Sequence, residues 1–123
     1  DLWHQVVLCV HEHQHVVQHD REGLRFELSY LGSRAARARW EAEAYRSNVE
    51  LHFWRFGETP PVRDVVDVLR HYGCRTEDID VAARSLALSA VSVQKGAVMN
   101  EATHVALGWL DEHVPRLRAK PAA

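Results

Sequence analysis

Apolar residues along this chain recur at helical spacing, and Gly and Pro cut the pattern into segments. Val6 to Val10 and Val16-Val17 make an apolar, proline-free stretch near the start, which predicts a buried helix, with Cys9 as a small apolar filler. Ser33 is a natural N-cap, and Arg34 to Phe56 runs without Gly or Pro until Gly57, predicting a second, longer helix. Thr59-Pro60-Pro61 opens a third, in which Val62, Val65, Val66, Leu69 and Tyr72 form one stripe that stops at Gly73. Thr76-Glu77-Asp78 opens the next, and Ile79 to Gln94 is apolar on nearly every side, the pattern of a central helix. Val98, Met99, Ala102, Val105, Ala106, Trp109 and Leu110 trace a last amphipathic helix up to Pro115, with Arg116 to Ala123 as a frayed tail. Only Leu24 to Tyr30 alternates apolar and polar as a strand would. A lone strand has no partner, so this segment is predicted to be a helix or an extended loop.

These elements predict an all-α fold, a compact bundle of about five to six helices in one domain spanning 1–123. Residues 1–57 form its first part, 58–118 its supporting helices and 119–123 its tail. The 46% apolar and 26% charged content suits one soluble globular core. A net charge of −2, with acids and bases interspersed, gives no electrostatic case for nucleic acid, and no apolar run approaches the ~20 residues of a membrane span. Two cysteines, Cys9 and Cys74, lack the spacing of a metal knuckle and leave the redox compartment open. The chain opens at Asp1 without a signal sequence, which reads as a processed or excised start.

Candidate chemistry lies in the first helix. His11-Glu12-His13-Gln14-His15 is an H-E-x-x-H pattern, in which residues four apart share one helix face and both imidazoles can converge on one metal ion. Glu12 sits about a third of a turn away, placed to reach a metal-activated water. The chain holds nine histidines, so the five residues alone are not decisive; the apolar setting adds weight, because buried imidazoles need a partner and a metal serves both. A zinc site also needs a third protein ligand, for which His19, Asp20, Glu22, Glu41 and Glu43 are available. His11, His15 and His19 span about 12 Å along a helix, too far for one ion with Zn–N bonds of about 2 Å. A second helix must therefore supply the ligand, and Glu41 and Glu43, two apart, cannot both face it.

His11-Glu12-x-x-His15 followed by Val16-Val17-Gln18, then Tyr30, then Glu41-x-Glu43-Ala44-Tyr45, resembles the gluzincin branch of zinc metallopeptidases over roughly residues 3–56. The resemblance implies Zn²⁺ held by His11, His15 and a downstream glutamate, with Glu41 favoured over Glu43, and Glu12 as general base. It also implies an acid four residues beyond that glutamate, where this chain has Tyr45 or Ser47. A sheet that holds the substrate usually precedes the motif helix in such enzymes; only ten residues precede His11 here, so the expectation is either a minimal helical core without it or a substrate-binding half that was lost or lies on another chain.

The function so implied is zinc-dependent hydrolysis of peptide bonds in a peptide or protein substrate. Tyr30, Tyr45, His52, His71 and Tyr72 are the candidate oxyanion donors. The alternative is a non-catalytic helical structural or assembly protein that retains the same core. A histidine-rich metal carrier is a third reading, and it would tolerate loss of Glu41. A missing sheet leaves apolar surface for a protein partner or a second copy of the chain.

Overall fold

The computed structural model describes residues 1–121, and all regular structure among them is helical. The elements are α1 (Leu2–Glu22), α2 (Leu24–Gly32), α3 (Arg34–Phe56), α4 (Val62–Val66), α5 (Thr76–Gln94) and α6 (Glu101–His113). Short 3₁₀ turns extend α4 over Asp67–Tyr72 and follow α6 at Pro115–Leu117. Local chemistry explains the boundaries. The Asp1 carboxylate accepts from the His4 N–H at 3.1 Å, and the Ser33 hydroxyl from the Ala36 N–H at 3.1 Å, each capping a helix start. Gly23, at φ 61° and ψ −145°, takes a conformation closed to other residues and breaks α1 from α2 within one residue. The ambiguous segment is thus helical. Its half-buried Phe26 and Tyr30 turn inward one turn apart, while Leu24, Leu28 and Leu31 face outward.

α3, not α5, is the central element, because it packs against α1, α2, α5 and α6. One apolar cluster joins α3 to α4 and α5 through Ala42, Val49, Val66, Leu69, Ile79 and Leu86. A second joins α3 to α1 and α6 through Val10, Leu51, Trp54, Ala102 and Leu110. The alanines of α3 make this role feasible: Ala36, Ala38, Ala42 and Ala44 are all buried and let neighbouring backbones approach closely. The expectation that Ile79 to Gln94 forms the centre is corrected, since Val81, Leu88 and Val91 of α5 are exposed. An apolar stretch signals burial only when every face finds a neighbour, and α5 has neighbours on one side.

The first helix departs further from its pattern. Leu8 and Val16 are about half exposed and Cys9 is exposed, whereas the buried residues of α1 are Val10, His11, Gln14 and Gln18. The helix turns its polar stripe inward because each buried polar group finds a partner there. Gln14 Oε1 accepts from the Ala102 N–H at 3.2 Å, one of the donors that the start of α6 cannot satisfy internally. Two more backbone donors preceding α6, the N–H groups of Met99 and Asn100, go to Glu50 Oε2 of α3. The Asn100 side chain then donates to the Glu43 carbonyl at 2.6 Å and to Ser47 Oγ at 2.9 Å. The chain after α6 is also held: Leu117 packs on the α1/α3/α6 cluster, and the Ala119 N–H donates to the Trp54 carbonyl at 2.9 Å. The expected fraying is therefore corrected as far as Ala119, and 122–123 lie outside the described residues.

Burial raises the pKa of Glu50 above its ordinary 4.5, although the backbone donors of Met99 and Asn100 oppose the shift. The folded state then binds the proton more readily than the unfolded chain, and Glu50 costs stability as the pH rises above about 4.5. Glu50→Gln keeps an acceptor for both donors and removes the charge. Urea unfolding should show this variant gaining on the wild type from pH 4 to pH 7, with the difference vanishing in acid. Glu50→Ala should lose about 1–3 kcal/mol throughout, because both donors lose their acceptor.

Candidate metal centre

His11 and His15, one turn apart on α1, point into the seam with α3, where Glu41 meets them. Glu41 Oε1 lies 3.1 Å from His11 Nε2 and 3.2 Å from His15 Nε2, and Tyr30 of α2 donates its hydroxyl to Glu41 Oε2 at 2.6 Å. Glu41 is 1% exposed, so three helices converge on a carboxylate largely withdrawn from solvent at the floor of a cleft. Burial alone would push its pKa up; the contacts from His11, His15 and Tyr30 outweigh burial and bring it down to about 2. Burial also opposes charge on His15, but the Glu41 carboxylate prevails and raises that imidazole's pKa. Burial and the bond to Glu41 raise the Tyr30 phenol, which stays a donor.

The donor set suits a divalent ion. Ligands sharing one tetrahedral ion at bonds of about 2.0–2.1 Å lie about 3.3 Å apart, close to both separations at Glu41 Oε1. Each imidazole is also held through its other nitrogen, His11 Nδ1 at 3.2 Å from Asn48 Oδ1 and His15 Nδ1 at 2.8 Å from Gln18 Oε1. Such outer contacts are what orient histidine ligands. Ligand-capable atoms of His11, Glu12 and His15 lie within 4.8 Å of one another. Two imidazoles and a carboxylate fit zinc and several other first-row divalent ions, so the set specifies a class of metal and not one element.

Glu12 is exposed and borders a cleft of about 340 Å³ with His15, Phe26, Glu27, Tyr30, Leu31, Glu41 and Tyr72. A larger cavity of about 570 Å³ lies elsewhere, between the last turns of α3, the α5–α6 connection and the tail. The ligand-bearing side chains, and not cavity size, mark the site.

Glu41 faces the two imidazoles, and Glu43 does not. Glu43 instead takes Arg21 at 3.0 and 3.1 Å and Gln18 Nε2 at 2.6 Å. Ordinary surface pairing of Glu41 with Arg37 is also absent. The Arg37 guanidinium donates to the carbonyls of Tyr30, Leu31 and Tyr72, tying α2 to the 3₁₀ turn that completes the cleft. His19 pairs with Glu27 and stays out of the centre. Among the candidate oxyanion donors, Tyr30 is committed to Glu41, Tyr45 packs edge-on against His11 at 4.4 Å, and Tyr72 lines the cleft. His52 packs on Phe56, and neither it nor His71 borders the cleft. Sequence reading gave no role to Asn48 or Gln18. The signal was available: Glu41, Tyr45 and Asn48 recur at i, i+4 and i+7, the stripe of α3 that faces α1.

Comparison with protein-family models, curated proteins and solved structures returns no match.

Glu41→Gln should reveal the paired charges in metal-free protein. A carboxylate pKa depressed from 4.5 to about 2 stabilises the fold fully above about pH 4.5, and that contribution is lost as the pH falls through this window. The raised His15 pKa contributes below its ordinary 6.5 and is lost as the pH rises beyond it. The wild type's margin over Glu41→Gln, read from denaturant midpoints, should therefore peak near pH 5–6 and shrink on both sides.

Proposed function

We propose that this protein is a zinc-dependent metallopeptidase of gluzincin-like type, in which His11, His15 and Glu41 hold the metal and Glu12 is the general base. The observation that carries this reading is the buried Glu41 oxygen shared by both imidazoles of an H-E-x-x-H helix. Zinc, when bound, supplies Lewis-acid polarisation of a scissile carbonyl and a nucleophile at neutral pH. Everything else falls to the chain. The exposed Glu12 carboxylate, at the edge of the cleft, takes a proton from the attacking water and returns it to the leaving amine. Tyr30 holds the Glu41 carboxylate by its second oxygen, which fixes the direction in which the first one points. Phe26 and Leu31 offer apolar contact to a substrate side chain, and Tyr72 stands on the same wall as the candidate donor to the developing oxyanion.

A second reading, a non-catalytic helical element with the same centre, is favoured by one observation. The described residues contain no strand, so they offer no sheet edge to hold a peptide by its backbone. Elemental analysis together with a peptide-library assay separates the two. One zinc per chain, lost in His15→Ala, with hydrolysis that falls by at least ~10²-fold in Glu12→Gln at unchanged metal content, is the outcome expected of the enzyme. Bound metal without hydrolysis would leave the structural reading. No metal, or several ions indifferent to His15, would overturn the enzyme reading and leave a helical structural domain.

A further inference from the structure

Gln18 lies three residues beyond His15 on α1 and is fully buried. Its amide nitrogen has two acceptors, the Trp40 carbonyl at 2.9 Å and Glu43 Oε2 at 2.6 Å. Neither can act as a donor, since one is a carbonyl and the other is a carboxylate held by Arg21 at 3.0 and 3.1 Å. Turning the amide over would set its oxygen against two others, so the network fixes its orientation. Gln18 Oε1 must therefore face His15 Nδ1, at 2.8 Å, and an oxygen there requires a hydrogen on that nitrogen.

A neutral imidazole carries one N–H. With it on Nδ1, His15 Nε2 presents a bare lone pair toward Glu41 Oε1, 3.2 Å away. Two lone pairs facing each other in a largely buried seam repel unless a cation lies between them, a second proton on Nε2 in the imidazolium or a metal ion once the ring is neutral. The other tautomer, Nε2–H, is the one free imidazole prefers, and it would donate to Glu41 and close the centre on itself. From this geometry we infer that Gln18 is a positioning residue: it holds His15 as the Nδ1–H tautomer and so keeps Nε2 open for a metal ion. Arg21 and Glu43 then serve the centre without touching it, as the anchor of Gln18. No such argument extends to His11, because among the described residues Asn48 makes no second side-chain hydrogen bond that would orient its amide.

The inference rests on the metal-binding part of the proposed function and is independent of the peptidase chemistry. Nitrogen-15 correlation spectra of the histidine rings test it in metal-free protein, at a pH where His15 is neutral, with the signal assigned by its loss in His15→Asn. The wild type should show Nδ1–H. Gln18→Met should move the proton to Nε2 and weaken zinc binding by about 10–100-fold in a competition titration. The double variant Q18E/E43Q gives up the donor to the Trp40 carbonyl but keeps an acceptor for His15 at position 18 and lets position 43 donate back to it. It should recover the Nδ1–H signal and part of the affinity, which generic repair of packing would not do. An Nε2–H signal in the wild type overturns the inference with no variant needed, and so does a Gln18→Met protein with unchanged tautomer and affinity. Nδ1–H with tight zinc binding and no peptide hydrolysis would support it and overturn the peptidase reading.

Discussion

A carboxylate with 1% of its residue surface in contact with solvent must be neutralised, protonated or paired, and Glu41 is paired three times over. His11 and His15 bring α1 to it, Tyr30 brings α2, and Glu41 itself sits in the middle of α3. The relative placement of these three helices is thus set by one polar junction as much as by apolar contact. The small side chains of α3 serve its other neighbours: Ala38 and Ala42 belong to the apolar cluster shared with α4 and α5.

The same logic continues down α1. Gln14 and Gln18 are buried as deeply as core leucines; Gln14 accepts through Oε1 from the start of α6, and Gln18 donates through Nε2 to α3. Buried polar groups of this kind add little net stability when satisfied and cost much when not, so they specify one arrangement over its neighbours. Sliding α1 by one turn would strand Gln14, Gln18, His11 and Glu41 together. Through Gln14 and Glu50 the constraint reaches α6, whose unpaired backbone donors are met from α1 and α3. The His11–His15–Glu41 cluster and the supporting half of the domain are therefore joined by hydrogen bonds and not only by the apolar cluster between them.

The two glutamates of Glu41-Ala42-Glu43 illustrate how a helix divides labour between adjacent positions. Their side chains leave α3 about 160° to 200° apart in angular terms, which is enough to send one to the imidazoles and the other to Gln18 and Arg21. One anion is deep and shared by ring nitrogens, and the other is nearer the surface, where Arg21 balances it. Glu12, by contrast, is exposed at the edge of the cleft.

The sequence by itself determined the helical class, the ends of α3 and the facing pair His11 and His15, because caps, breakers and four-residue spacing are local and carry their physics with them. It also named Glu41 and Glu43 as the acids that could complete the centre. Only the tertiary structure decided which of the two faces the imidazoles, since that depends on which face of α3 meets α1. It likewise decided that α3 and not α5 is the middle of the bundle, and that Leu8 and Val16 lie outside while Gln14 and Gln18 lie within. Hydropathy assigns polar residues to the surface by their cost of transfer, and that cost is cancelled by hydrogen-bond partners that sit 22 to 88 residues away along the chain.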